Sequence, residues 1–231
     1  MRNGMQNHQT AGREEGHGMT LSVREFMPDI AHADILEAAA LCFLDRGYNA
    51  TSIDDVARRL GATKGRIYHH YPAKADLFAK VCRTGMDMNY AAIEPLRGDN
   101  ADLLDKWTRM ATVHTRQMIE TRPFQRVVWE GVELALRGST TPQQREELDD
   151  LLRYRNAYGE IFREVIAQGR REGVFEFEDL GIANQLMFMA LNSPIFWYTK
   201  RPGETDADRD NLIKQVVTFA TRGLGGKRHT Q

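Results

Sequence analysis

The sequence predicts an all-α fold of about nine helices, in which a small three-helix head precedes a larger helical domain. Apolar residues recur at helical spacing from residue 28 to residue 224. No run alternates in the manner of a strand for more than a few residues. Glycines and prolines stand where most of the periodic segments stop, as is typical of helix ends.

The predicted helices and their breaks divide the chain into four parts. Residues 1–27 are rich in Gly, Asn, Gln, His and Thr and predict a flexible arm. The head takes residues 28–83, the larger domain takes residues 84–224, and residues 225–231 form a tail. The predicted helices are 29–46, 53–60, 64–70, 73–95, 100–120, 123–137, 142–172, 179–199 and 206–223.

The composition is that of a globular protein with an ordinary core. Of the 231 residues, 42% are hydrophobic and 27% are charged, and 31 basic against 32 acidic residues give a net charge of −1. These values exclude a collagen, a long coiled coil and a wholly disordered chain. They also exclude a uniformly basic coat, but not a local basic patch.

Cysteine use and hydropathy indicate a cytoplasmic protein. Cys42 and Cys82 form no Cys-x-x-Cys pair, which fits a reducing compartment. The most apolar segment, residues 182–198, is interrupted by Asn, Gln, Ser and Pro, so we interpret it as a buried helix and not as a membrane span. The N-terminus lacks the apolar stretch of a secretory signal.

Residues 51–78 form the most informative segment. Ser52 followed by Asp55 predicts a capping box at the start of a short helix. Gly61 permits a tight left-handed turn, and Thr63 caps a second short helix on which Ile67 points inward. Two short helices joined by a glycine turn make a helix-turn-helix, which needs the apolar stripe of the preceding helix to pack against.

Charge is segregated within the head. Seven basic residues and one acidic residue lie between residues 58 and 83, whereas six acidic residues and one basic residue lie between residues 29 and 55. A face that binds phosphates needs this arrangement. Lys64 and Arg66 lie in the first turn of the second short helix, where side chains reach base edges, and arginine pairs with guanine N7 and O6.

Structural roles compete with DNA contacts at several of these positions. Arg58 and Arg59 are more typical of a solvated helix face than of base readers. His69 and His70 point about 100° apart on a helix and have no further ligand at metal spacing, so we expect no metal. Tyr71 fits the core better than a DNA contact.

The segment resembles the DNA-binding domain of TetR-type regulators over residues 29–83. It departs from the family at Ala73, where Ser or Thr is usual as a helix cap. The matching residues are Thr51-Ser52, Gly61, Lys64-Gly65-Arg66-Ile67-Tyr68-His69-His70-Tyr71, Lys74 and Leu77-Phe78, with Ile35, Ala38-Ala39, Phe43 and Gly47-Tyr48 before them.

The resemblance implies a homodimeric DNA-binding regulator whose two heads bind a double-stranded palindromic operator. It also implies a C-terminal domain that dimerises and holds a small-molecule effector. We expect a repressor released by a largely apolar effector; the alternatives are a ligand-independent binder or activator and, remotely, an enzyme with an accessory head. The predicted DNA contacts are Ser52, Lys64, Gly65, Arg66, Tyr68, His69, His70 and Lys74.

The larger domain contains no HExxH, GxSxG, Walker-type or Rossmann fingerprint, so we expect neither an enzyme nor a cofactor. Large adaptable side chains and isolated polar residues on its helices suggest a binding cavity, although for any single residue a place in the core is the stronger expectation. The candidate ligand-binding residues are Trp107, Met110, His114, Met118, Trp129, Phe162, Phe188 and Asn192.

The last two helices, about residues 179–224, predict a dimer surface. The final helix carries two apolar stripes, so that one can face the core and the other a partner. Pro194 should end or kink the helix before it. Residues 192–223 also loosely resemble the subgroup of these regulators that controls lipid or steroid-ring catabolism and responds to acyl-CoA thioesters. That resemblance makes an acyl-CoA one candidate effector beside other apolar or aromatic molecules.

Overall fold

The structure, a computed structural model, describes residues 23–27, 29–98, 101–138 and 141–226. These ranges form helices and contain no strand, as predicted. Within them, nine helices have seven residues or more and two have four. They are α1 (Val23–Phe26), α2 (Ile30–Ala50), α3 (Ile53–Leu60), α4 (Lys64–His70), α5 (Lys74–Arg97), α6 (Leu103–Glu120), α7 (Arg122–Arg137), α8 (Pro142–Arg171), α9 (Leu180–Asn192), α10 (Pro194–Trp197) and α11 (Asp206–Gly223).

The described end of the predicted arm differs from the prediction. Residues 1–22 lie outside the described residues, but Val23–Phe26 form a helical turn where a flexible segment was expected. Val23 is buried in the core, and Arg24 pairs with Asp34 at 3.0 Å. A longer ion pair joins Arg24 to Glu37 at 3.6 Å, so an apolar anchor and two ion pairs attach this turn to α2.

Helices α2 to α4 are the part of the predicted head that precedes α5, and from here on the word head refers to them alone. They fold as their capping residues predict. The Ser52 hydroxyl accepts the Asp55 N–H at 3.2 Å, and the Asp55 carboxylate accepts the Ser52 N–H at 3.0 Å, so the capping box is present. Gly61 closes α3 with a φ of 69°, a conformation that favours glycine. Ile67 and Tyr71 are buried in the core, and α4 packs against α3.

Helices α5 to α11, which we call the body, surround one continuous core. α5 runs out of the head and packs against α6, α7 and α8. Glycines allow the closest approaches, since a Cβ on Gly131 would lie 2.7 Å from Leu151 and a Cβ on Gly85 would lie 2.9 Å from Val128. The predicted helix 179–199 is divided into α9 and α10 at Ser193, because Pro194 has no N–H to continue the ladder.

None of the described helices combines the length and apolarity that crossing a membrane requires.

Two glycines of α8 provide a matched test of this packing. A Cβ on Gly169 would lie 2.3 Å from the buried ring of Phe175, whereas a Cβ on Gly159 would meet its nearest neighbour at 3.7 Å. We expect Gly169→Ala to lower the free energy of unfolding by about 1–3 kcal/mol through overpacking. We expect Gly159→Ala to raise it by up to about 1 kcal/mol through helix propensity. Urea denaturation measures both; equal effects would contradict the packing described.

Candidate nucleic-acid interface and ligand cavity

The outer face of α4 presents polar side chains to solvent. Lys64, Gly65, Arg66 and His69 are exposed, and Tyr68 is 47% exposed although it is a large aromatic residue. These residues share one helix whose opposite side is fixed by buried groups. The structure therefore brings five of the eight predicted DNA contacts together on one short, rigid surface.

The cations of the head differ in their ionic partners. Arg58 pairs with Asp55 at 3.0 Å and Arg59 pairs with Asp45 at 2.7 Å, in keeping with a solvated helix face. The Arg66 side chain has no ion pair or hydrogen bond with any described residue. Lys64 approaches Asp54 only at 3.8 Å. Positive charge available to an anionic partner thus concentrates on α4.

Ser52 lies at the exposed start of α3, where its hydroxyl also donates to Asp55 at 2.7 Å. The hydrogen bonds from Ser52, followed by Arg46 and Arg58, lower the pKa of the Asp55 carboxyl to about 2. An ionised Asp55 therefore holds both the cap and two nearby guanidinium groups.

His70 lies at the edge of this surface and not on its outer face. Its ring is partly buried and meets the His32 ring edge-on at 4.3 Å, while His32 pairs with Asp29 at 2.6 Å. Burial, then the neighbouring His32 and His69, lower the pKa of His70. The His70 imidazole thus packs on α2, which the sequence did not indicate.

Lys74, the first residue of α5, holds the end of α2. Its ammonium donates to the carbonyl oxygens of Tyr48 at 2.7 Å and Thr51 at 2.8 Å, with a longer bond to Asn49 at 3.4 Å. Burial lowers the pKa of this ammonium. Lys74 therefore meets backbone carbonyls inside the protein, where the sequence suggested only an outward contact.

A carboxylate of the body completes this junction. Glu130 of α7 accepts the Tyr48 N–H at 2.6 Å, just after the kink at Gly47, where φ is 75°. Gln144 of α8 donates to the Tyr48 hydroxyl at 2.9 Å. The end of α2 is thus hydrogen-bonded to three helices of the body, α5, α7 and α8. Neither Glu130 nor Gln144 carried a sequence signal, because each pairs with a residue more than 80 positions away.

A cavity of about 340 Å³ lies inside the body between α5, α6, α7, α8 and α9. Polar side chains, most of them uncharged, line it together with apolar ones. Polar groups in small-molecule sites fix the orientation of a ligand. The predicted residues that line it are His114, Met118, Trp129, Phe188 and Asn192; further lining residues include Met86, Asn89, Arg155, Asn184 and Gln185.

Three predicted ligand-binding residues lie outside this lining. Trp107 and Phe162 are fully buried and meet edge-on at 6.4 Å between ring centres. The Trp107 indole N–H donates to Thr221 at 2.9 Å, which occupies its polar atom. Met110 is also fully buried and borders a separate depression near Glu94. The three residues fill the core beneath the cavity.

Polar groups in the cavity wall form a chain. The His114 Nε2 atom lies 2.9 Å from the Asn192 Oδ1 atom, and its Nδ1 atom lies 2.9 Å from the Tyr158 hydroxyl. Because the amide oxygen only accepts, His114 donates from Nε2 and accepts at Nδ1 from Tyr158. Burial lowers the pKa of His114 to about 4, so the imidazole is neutral near pH 7.

Another cavity, of about 410 Å³, lies at the junction of head and body. Two of its charged lining residues have partners: Arg83 pairs with Asp87 at 3.0 Å, and Arg137 pairs with Glu133 at 3.5 Å. Both arginines in its walls therefore have an anionic partner. Among the described residues, no three His, Cys, Asp or Glu side chains converge as a metal site.

Two protein families match most of the chain. Residues 35–81 match the family described as bacterial regulatory proteins, tetR family, and residues 100–224 match the tetracyclin repressor-like, C-terminal domain. The HTH-type transcriptional repressor KstR2 of Mycolicibacterium smegmatis is 28% identical over 198 residues, which cover 84% of this chain and 92% of the relative.

Solved structures have the same fold. The TetR family transcriptional regulator PfmR from Thermus thermophilus is 26% identical with a TM-score of 0.66, over 84% of this chain and 99% of PfmR. AibR, solved in complex with isovaleryl coenzyme A and operator DNA, is 20% identical with a TM-score of 0.65, over 85% of this chain and all of AibR.

The helix-turn-helix, the exposed α4 surface and these matches define a DNA-binding regulator of transcription. The chain belongs to the TetR family of bacterial regulatory proteins. The predicted resemblance of residues 29–83 to TetR-type regulators is therefore confirmed. The family and the KstR2 relative are regulators, not enzymes.

The neutral His114 predicts a specific acid sensitivity. A histidine in the unfolded chain has a pKa of about 6.5, whereas burial lowers the pKa of His114 to about 4. Protonation between these values favours the unfolded chain, so the full stabilisation is present above pH 6.5 and falls as the pH drops toward 4. We expect wild-type protein to lose about 2 kcal/mol more than His114→Gln between pH 7 and pH 5.

Chemical denaturation at each pH measures this difference. Phe188→Leu is the matched control, because it alters the same cavity wall without removing a titratable group and should run parallel to the wild type. Parallel curves for the wild type and His114→Gln would refute the assignment.

Proposed function

We propose that the protein is a homodimeric repressor that binds a palindromic operator through α4 and is released by a small, largely apolar effector. The observation that carries the proposal is the exposed α4 surface, whose Arg66 has no ionic partner among the described residues. This role is regulatory and not catalytic, and we expect it to be exercised in the cytoplasm, where operator DNA lies.

The proposed DNA contacts divide into base readers and phosphate contacts. Arg66 pairs with guanine N7 and O6, and Lys64 lies beside it in the first turn of α4. Gly65 lets the backbone approach, while Tyr68 and His69 contact thymine methyls or phosphates. Supporting phosphate contacts come from Ser52, from His70 at the edge, and from the start of α5 at Lys74. Since the Lys74 ammonium is held by carbonyls, we assign its contact to the backbone N–H at the helix start.

The proposed dimer forms through α9 and α11. Ile182, Leu186 and Met189 of α9 recur at helical spacing and are at least half exposed, and Phe219 of α11 is 72% exposed. Ile213 and the rest of its stripe face the core. A contiguous apolar surface of this kind is typical of a subunit interface. A two-fold axis through it would place two α4 helices on successive major grooves, about 34–36 Å apart.

The proposed effector occupies the cavity in the body. Met86 and Asn89 of α5 line that cavity, and the first residue of α5 holds the end of α2. A ligand in the cavity therefore contacts the helix that carries the head. It lowers operator binding to the extent that it binds a different head spacing more tightly. The AibR structure, which contains isovaleryl coenzyme A, supports an acyl-CoA as one candidate effector.

Arg66→Ala tests the DNA surface. We expect it to weaken binding to an operator selected from a random duplex library by about tenfold or more, because a bidentate guanine contact is worth about 1–3 kcal/mol. Binding to unrelated DNA should change less, so specificity falls. Fluorescence anisotropy at fixed salt measures both affinities. Arg163→Ala, an exposed arginine of the body, is the control. Equal affinities for Arg66→Ala and the control would remove α4 as the reading surface.

Phe219→Glu tests the dimer. A charge in the centre of the proposed interface cannot be desolvated without a partner, so we expect a monomer where the wild type is a dimer. Ala207→Glu introduces the same charge at an exposed position in the first turn of α11, where an acid is tolerated. Light scattering after gel filtration gives the mass. A Phe219→Glu dimer as stable as that of Ala207→Glu would place the interface elsewhere.

A further inference from the structure

Arg155 of α8 lies in the wall of the cavity in the body and is partly buried. Burial lowers the pKa of its guanidinium. Its position continues the buried stripe of α8, four residues after Leu151 and three before Tyr158, both of which are buried. A cation thus stands in a row where the helix otherwise places apolar side chains.

No hydrogen bond or ion pair joins the Arg155 side chain to any described residue. A guanidinium carries five N–H donors, and removing a charge from water without a partner is costly. The neighbouring arginines of α8 differ in this respect, since Arg153 contacts Asp150 and Arg163 pairs with Glu160 at 3.2 Å. Of these three arginines, Arg155 is therefore the one without a carboxylate partner in the described part of the chain.

The rest of the cavity lining supplies no compensating charge. Glu160 lies in the lining but pairs with Arg163 on the helix surface. His114 is neutral and fully engaged with Asn192 and Tyr158. The remaining lining residues are uncharged and include the apolar Met118 and Phe188 and the amide of Asn184. The cavity thus combines apolar and uncharged polar walls with one positive charge that has no ion pair among the described residues.

We propose that the effector is an amphipathic anion, whose apolar part contacts the apolar side chains of the cavity, Met118 and Phe188 among them, and whose carboxylate, sulfonate or phosphate pairs with Arg155. This inference rests on the proposed effector role of the cavity and narrows it to one class of ligand. A volume of about 340 Å³ lies at the low end for drug-sized sites. It suits one compact ring system or short chain, so the nucleotide of a coenzyme A thioester lies outside it.

Two dyes with the same ring system provide the test. 8-Anilinonaphthalene-1-sulfonate carries an anionic group, and N-phenyl-1-naphthylamine is the same molecule without it. We expect wild-type protein to bind the sulfonate at least tenfold more tightly than the neutral amine, because a charge-assisted contact with Arg155 adds to the shared apolar burial. Fluorescence titration gives both dissociation constants.

Arg155→Gln should remove this preference, because it should weaken the binding of the sulfonate about tenfold and leave the affinity for the neutral amine unchanged. Arg155→Lys should restore part of it, because the charge returns without the planar fork. Arg153→Gln is the matched control, since Arg153 lies two positions away on an exposed part of the same helix. Asn156 lies at the exposed rim of the cavity. Asn156→Trp should weaken the binding of both dyes, which would show that both bind in the cavity.

Competition against the bound sulfonate dye distinguishes a carboxylate ligand from a phosphate-bearing one. Octanoate, octanamide and octanoyl coenzyme A share one chain and differ in the terminal group. Displacement by octanoate but not octanamide identifies a carboxylate ligand. Displacement by octanoyl coenzyme A alone identifies a phosphate ligand. In either case, loss of the displacement in Arg155→Gln supports Arg155 as the residue that pairs with the anion.

The outcomes distinguish this inference from the proposed function. Equal affinities for the two dyes, unchanged by Arg155→Gln, would overturn the anionic ligand while leaving the cavity as an effector site. Failure of both dyes to respond to Asn156→Trp would refute the cavity itself. A weaker dimer for Arg155→Gln, with an unchanged dye ratio, would show instead that Arg155 pairs with a carboxylate of a second copy.

Discussion

The hydrogen bonds that converge on the end of α2 hold the head on the body. The kink at Gly47 leaves backbone groups of α2 without helical partners. Glu130 accepts the N–H of Tyr48, and the Lys74 ammonium donates to the carbonyl oxygens of Tyr48 and Thr51. Leaving such a partly buried group unpaired costs about 1–3 kcal/mol. The position of α4 relative to the cavity depends on these bonds, because the head meets the body chiefly where α2 packs on α5 and α7.

Most of the head could be predicted from the sequence because its determinants are local. The capping box of Ser52 and Asp55 spans four residues, and the positive φ of Gly61 needs only its own identity. The two faces of α11 could also be predicted from local sequence: the stripe containing Ile213 and Val217 faces the core, and Phe219 faces outward. Periodicity assigns a helix its faces whenever one side is apolar throughout.

The composition of the cavity could be predicted only in part, because it depends on contacts between residues far apart in the chain. Trp107 and Phe162 are the same residue types as Trp129 and Phe188, yet the first pair fills the core and the second lines the cavity. Which of them faces empty space is decided by how five helices pack. Arg155 did carry a signal: it interrupts the apolar stripe of α8, where a cation is unexpected.

The glycine contacts of α5 restrict how a bound molecule could move the head. Val128 of α7 already fills the space that a side chain at Gly85 would take. Because the two helices interlock there, we expect α5 to tilt about that point more readily than it slides along α7. Eleven residues of helix separate Gly85 from Lys74, about 16 Å at about 1.5 Å per residue. Each 4° of tilt, roughly, therefore swings the start of α5 through about 1 Å. In a dimer with two-fold symmetry both heads move by this distance. A modest rotation is therefore enough for the two α4 helices to no longer match successive major grooves of the DNA.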